Sequence, residues 1–332
     1  MKTFKIASLE ADAGKRVTGH IDVVRRFDGT SISIPVVLIN GSTEGPVLCV
    51  DACVHGDEYV GVAAINRTCS RLDPKKMKGT LVAIPVLNVP AFEAGTRCSP
   101  IDGLNLNRVF PGRPDGSVTE RIANILFTNI IPKVNYVCDL HADGIYGRIK
   151  SADYRGGTPL VDQSLELAEN FGFDIVVKNI PWLPGRLDSE APKIGVPAIA
   201  PECGGEARCP DTDVQSCERA IRNLMIHLNM IEGTQELPRE IKYVENCLEK
   251  VEGRPYTKGI AKESGFGIPH VREGQEVFKG DLVYTLQDIF GDVKESFKAP
   301  ENGVVVGIRT FPSVRAGSEL FDILKIIRRR VR

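Results

Sequence analysis

Two short stretches carry the residues best suited to chemistry. The first is Val54-His55-Gly56-Asp57-Glu58, at the end of the mostly apolar run 46–53. A run of that kind, bounded by Gly45-Pro46 and then by Gly56, reads as a buried strand. A histidine and a glutamate three residues apart, just beyond a strand end, can turn toward one point. Imidazole nitrogen and carboxylate oxygen are ligands that a catalytic zinc takes when a second histidine joins them. On its own the pair is weak evidence, since such a pair more often sits on a solvated turn. The other stretch, Asp139-Leu140-His141, closes the run 135–140, which again reads as a buried strand. Asp139 shares one face of extended chain with His141, and a carboxylate there commonly fixes the tautomer of a ligating imidazole. Open α/β sheets bind ligands beyond the carboxyl ends of their strands, where both stretches fall. His55, Glu58 and His141 then make a coherent zinc site with a fourth position left for water. The plainer alternative is two strand-end histidines paired with nearby carboxylates.

A further carboxylate, Glu202, follows a short strand predicted over 195–201 and precedes Cys203-Gly204-Gly205. At a strand end, beside glycines that let a substrate come close, it suits a general base. Glu206 is its rival but lies past the glycine turn and reads as solvated. Cys203 has no evident histidine partner to make it a nucleophile. Between the two metal stretches, 88–118 forms a long segment rich in Asn, Pro and Gly, and loops of that length are usually functional. It contains Arg97 and the pair Asn107-Arg108. Asparagine and arginine together can hold a carboxylate, the guanidinium forking onto both oxygens. The competing reading is that Arg108 braces the loop against a backbone carbonyl.

The elements that must position these residues follow from periodicity and punctuation. Strands are predicted over 31–39 and 79–86, and helices over 60–72, 119–127 with Ser117 as cap, 162–171 stopped by Gly172, and 213–231. Residues 183–192 read as mixed loop. Strand–helix–strand alternation indicates an α/β sheet with helical crossovers. Past about 238 the pattern changes to short strands with glycine turns. The chain therefore divides into a catalytic α/β domain, 1–238, and a small all-β domain, 239–332, ending in the basic tail 328–332. This smaller domain resembles the barrel-sandwich fold of biotinyl and lipoyl carrier domains. No Met-Lys-Met turn precedes Lys298-Ala299-Pro300, so a lid or an oligomer contact is the expected role instead of a carrier.

Composition excludes some functions. The 332 residues are 42% hydrophobic and 26% charged with a net charge of -1, which offers no general attraction to nucleic acid or an anionic membrane. No apolar run matches a bilayer, and the first twelve residues lack a signal-peptide core, so a cytoplasmic protein is expected. Nine scattered cysteines without C-x-x-C spacing argue against a disulfide framework.

Taken together, His55-Gly56-Asp57-Glu58, Asn107-Arg108, Asp139-Leu140-His141 and Glu202 with Gly204 resemble the succinylglutamate desuccinylase/aspartoacylase family, relatives of the zinc carboxypeptidases. The resemblance implies a zinc-carboxypeptidase-like mixed sheet flanked by helices, and a C-terminal β domain fits the family's two-domain plan. It implies one zinc per chain on His55, Glu58 and His141, with Glu202 as base. Asn107 and Arg108 would hold the substrate carboxylate, and Arg97 would polarise the scissile carbonyl. Family members act on several N-acyl amino acids, acetylated diaminobutyrate among them. The expected activity is hydrolysis of a small N-acyl amino acid. A carboxypeptidase acting on a peptide C-terminus and a non-catalytic binding protein with a vestigial site are the alternatives.

Overall fold

The computed structural model describes residues 2–180, 183–247 and 258–332. The chain opens with a hairpin of β1 (Phe4–Ile6) and β2 (Leu9–Ala11). Three long strands follow, β3 (Lys15–Arg25), β4 (Ser31–Asn40) and β5 (Thr43–Ala52), then helix α1 (Val60–Arg71) and β6 (Lys78–Ile84). Helices α2 (Val89–Ala94) and α3 (Val118–Ile125) lead to β7 (Tyr136–Leu140), the short β8 (Tyr146–Arg148) and β9 (Ser151–Arg155). Next come α4 (Val161–Phe171), β10 (Ile175–Ile180), α5 (Leu187–Glu190), β11 (Ala198–Ile199), α6 (Asp211–His227) and β12 (Glu240–Cys247).

From residue 258 on, every regular element is a strand. The chain runs through β13 (Lys258–Ile260), β14 (Gly265–Pro269), β15 (Glu276–Val277), β16 (Leu282–Gln287) and β17 (Val293–Lys298). It ends with β18 (Gly303–Arg309), β19 (Ser313–Val314), β20 (Glu319–Leu324) and β21 (Ile326–Val331).

A ten-stranded mixed sheet, ordered β21-β12-β10-β9-β11-β7-β5-β6-β4-β3, forms the centre. β6, β5, β7 and β11 are parallel to one another, as are β9, β10 and β12, whereas β11 meets β9, β6 meets β4 and β12 meets β21 antiparallel. Alternation along each strand divides the core into two layers. Leu48, Val50, Cys138 and Leu140 face α1, α4 and α6, while Cys49, Val82, Val137 and Ala198 face α3 and the N-terminal hairpin. This is the mixed α/β sheet flanked by helices that was expected, with antiparallel sheets in the C-terminal part. Those sheets have their own core, including Val283, Leu286, Val305 and Ile323. A separate cluster, Ile175, Val177, Val244, Val304, Val306 and Leu324, packs them against β10 and β12.

Several elements match the sequence reading closely. Ser117 caps α3 in a reciprocal capping box with Glu120, and Gly172 ends α4 in the left-handed conformation. Others differ. The segment 88–118 holds α2, started by a proline in its first turn, and a 3-10 turn over Leu106–Arg108. The segment 183–192, read as loop, holds α5. The strand read over 195–201 narrows to Ala198–Ile199. The basic tail lies in β21, where Arg328 and Arg330 pair with Glu169 and Arg329 with Glu240 and Glu276.

Candidate active site

Three strand ends converge on one cleft. β5 runs out at Ala52, and Cys53 turns the chain with φ 60, a conformation that costs a non-glycine residue about 1–2 kcal/mol. Gly56 lets this turn pack closely, since a Cβ there would lie 2.0 Å from the backbone of Ala91. Parallel pairing sets β5 beside β7 with Ala52 opposite Leu140, so His55 and His141 emerge from adjacent strands.

Glu58 stands between the two imidazoles. Its Oε1 is 2.8 Å from His55 Nδ1 and its Oε2 is 2.9 Å from His141 Nδ1. All three residues are buried, and one ligand atom from each lies within 4.8 Å of the others. The outer nitrogens are anchored too. His55 Nε2 is 3.1 Å from Asn105 Oδ1, and His141 Nε2 is 3.0 Å from Asp139 Oδ2. Both anchors offer an acceptor, so a proton kept on each Nε2 would leave the two Nδ1 lone pairs for a cation that displaces the protons facing Glu58. Two inward lone pairs and a carboxylate are a donor set that fits a divalent metal.

The electrostatics agree. Burial opposes ionisation of Glu58, but the two histidines outweigh it and hold the carboxyl well below its usual range. Burial would lower His141, yet Asp139 and Glu58 together push it well above the ordinary imidazole value. Protons and a cation therefore compete for the same cluster.

Glu202 lies on the third strand end, just beyond β11. Its backbone is fixed from both sides. Glu202 N donates to Ser151 O at 2.9 Å and Ser151 N to Glu202 O at 3.0 Å, while Cys203 N donates to His141 O at 2.8 Å. The carboxylate shares the cleft with His55, Glu58 and His141, and its Oε2 is closed to solvent with no hydrogen-bond partner among the described residues. Burial pushes its carboxyl up to about 7, against the pull of Arg148 and His141. Such a group takes and returns a proton near neutral pH. The glycines after it do not open space for a ligand. A Cβ on Gly205 would lie 2.0 Å from Tyr146 O, so that room belongs to the protein.

The remaining expected residues separate. Arg97 reaches the cluster, its Nη1 3.3 Å from Glu58 Oε1. Arg108 lines the cleft, and its Nη1 donates to Asn107 O at 2.7 Å. Asn107 is fully buried, accepting from Leu187 N at 3.1 Å, with Nδ2 3.2 Å from His141 Nε2. Residues that the sequence reading passed over complete the cleft. Arg155 and Arg186 share the carboxylate of Asp188, at 3.1 and 3.0 Å. Burial disfavours the Asp188 anion, but Arg186 and Arg155 hold its carboxyl well below the usual range. From the C-terminal sheets come Lys258, Glu319 and Asp322, with Lys258 paired to Glu319 at 2.8 Å. The cleft encloses about 390 Å³. No local motif marks these residues, because the fold gathers them from segments far apart in the chain.

The sheet and the cleft define a mixed α/β architecture with a His–Glu–His cluster beyond the carboxyl ends of its strands. Residues 44–228 match the model of the succinylglutamate desuccinylase/aspartoacylase catalytic domain. N-alpha-acetyl-L-2,4-diaminobutyric acid deacetylase from Halomonas elongata is 30% identical over 310 residues, 90% of this chain and 87% of that protein. The product-bound ectoine utilization protein EutE (DoeB) from Ruegeria pomeroyi superimposes with a TM-score of 0.85 at 24% identity, covering 93% of this chain and 95% of that one. An aspartoacylase family protein from Mesorhizobium loti has a TM-score of 0.80 at 26% identity, covering 94% and 95%. The chain belongs to the succinylglutamate desuccinylase/aspartoacylase family, whose named members hydrolyse amides of acylated amino acids. Among the described residues, no helix is long and apolar enough to cross a membrane.

Proposed function

We propose that the protein is a zinc-dependent hydrolase that cleaves the amide bond of a small N-acyl amino acid. The observation that carries this reading is the convergence of His55, Glu58 and His141 on one point, with Glu202 lining the same cleft. The 30% identity to a diaminobutyrate deacetylase supports it.

His55 Nδ1, Glu58 and His141 Nδ1 would hold one zinc per chain. Zinc bound there supplies Lewis acidity, which polarises a carbonyl and makes water nucleophilic near pH 7. Glu202, pinned between β7 and β9, accepts the proton of the attacking water on its carboxylate and delivers it to the departing amine nitrogen. Arg97, beside Glu58, faces the oxygen on which negative charge develops. Arg108 grips the substrate carboxylate through its fork. Asn107, spent on Leu187 and His141, steadies the loop that carries Arg108 and the ring that carries a ligand. The C-terminal sheets act as a lid, contributing Lys258, Glu319 and Asp322 and leaving a space suited to an amino acid more than to a peptide.

The test is a screen of N-acetyl, N-succinyl and N-formyl amino acids with the zinc-loaded protein, reading the freed amine. Release from at least one series is expected. Turnover confined to C-terminal residues of peptides would replace this reading with a carboxypeptidase, and no turnover of any amide would leave a binding protein.

A further inference from the structure

Behind the cluster lies a carboxyl group that the reaction does not use. Asp51 sits in β5, wholly buried, with Asp139 opposite it on β7 and Ile84 opposite it on β6. No donor among the described residues reaches either oxygen of Asp51 or the Oδ1 of Asp139. The side chains that act most on Asp51 are Asp139, within hydrogen-bonding reach, and His141, and the Cys49 and Cys138 thiols also feel its charge. Two buried carboxylates side by side would repel each other and forgo their hydrogen bonds, at a cost far above that of one neutral acid. A single proton between them gives each a partner.

We propose that Asp51 is a positioning residue of the metal centre, a neutral carboxylic acid whose hydrogen goes to Asp139 and fixes the carboxylate that aims His141. Burial first, and then the Asp139 carboxylate, raise the Asp51 carboxyl well above its usual range, while His141 pulls the other way. The line of contacts is Asp51 to Asp139, Asp139 Oδ2 to His141 Nε2 at 3.0 Å, and His141 Nδ1 toward the metal position. Asp139 then has one oxygen for His141 and the other for Asp51, so its carboxylate cannot rotate without losing one of the two bonds. His55 has no such support, its ring being anchored by the neutral amide of Asn105. The inference rests on His141 being a metal ligand.

The experiment uses the full chain. Zinc affinity is measured by competition with a chromophoric chelator for the natural protein, Asp51→Asn and Asp51→Leu. Asparagine keeps the size and an N–H for Asp139, so its affinity should stay close to that of the natural protein. Leucine keeps the bulk and offers no donor, and a loss of about tenfold is expected, the lower end of what outer partners of ligating histidines contribute. At neutral pH, the infrared difference between the natural protein and Asp51→Asn should contain the carbonyl stretch of a protonated carboxylic acid. That readout does not depend on how the leucine variant folds. Absence of the band, or unchanged zinc affinity in Asp51→Leu, overturns the proposal. A natural protein that takes up no zinc overturns the metal reading instead, and this role for Asp51 with it.

Discussion

The two walls of the cleft are built by different means. On one wall, His55, Glu58, His141 and Glu202 stand at or just past strand ends, and sheet pairing sets their positions. On the other, Arg97 and Arg108 reach in from the segment between β6 and β7, and both are exposed. Arg155, at the end of β9, and Arg186 line the same cleft and share one buried carboxylate, that of Asp188. The first wall is rigid because moving a ligand means breaking a sheet. The second is adjustable at its rim. Such a division suits an enzyme whose chemistry stays fixed while its substrate changes.

The sharpest way to break that contrast is His141→Ala. Elemental analysis of the natural protein is expected to show about one zinc per chain, and this variant should lose most of it. A full metal complement in the variant would place the metal elsewhere.

Glu202→Gln comes next. It should keep zinc while kcat falls by about 10²–10⁴, the usual scale for a general base. The pH profile tests the same residue. Glu202 must be ionised to accept a proton, so kcat/KM should fall as pH drops through its folded-state value, raised by burial to about 7. A bound cation favours the carboxylate and moves that limb to the acid side of 7. Near-normal kcat in Glu202→Gln would transfer the role to another carboxylate.

Asp188→Asn probes the second wall from behind. It leaves the buried Arg155 and the half-buried Arg186 without their anion, a change that typically costs about 3–5 kcal/mol. Thermal unfolding should show that loss with zinc stoichiometry unchanged, whereas loss of zinc would mean the two walls are not independent.

The smallest effect is expected for Arg108→Lys. Lysine keeps the charge but has no fork, so kcat/KM should fall about ten- to a hundredfold, or roughly 1.4–2.7 kcal/mol. N-acyl amines lacking a carboxylate should be poor substrates and indifferent to the change. Equal turnover of such an amide by the natural protein would leave Arg108 as the loop brace that its bond to Asn107 O already makes it.

The same contrast explains what the sequence made legible. His55, Glu58, His141 and Glu202 follow apolar runs, so their strand-end placement could be read locally. β9 escaped because its sequence, Ser-Ala-Asp-Tyr-Arg, spends Asp153 and Arg155 on the cleft and breaks the apolar pattern. Asp188 read as part of a loop, since the arginines that bury it lie elsewhere in the chain. The arginines of the tail read as a charged end because their glutamate partners come from α4, β12 and β15. Asp51 was hidden inside an apolar run, where only strand register reveals the other carboxylate beside it.

The placement of β12 and β21 bears on how this protein can be dissected. They are antiparallel neighbours, so everything from β13 to β20 hangs between two adjacent strands of the central sheet. Cutting the chain at 238 would remove both strands and bare one side of β10, Ile-Val-Val-Lys-Asn-Ile, whose backbone now pairs with β12. A long apolar strand with free amides and carbonyls recruits further strands from other chains. The excised α/β portion should therefore aggregate, whereas a short linker replacing β13–β20 and joining β12 directly to β21 should keep that edge paired, leaving only the face of Ile175, Val177 and Val244 to be made polar.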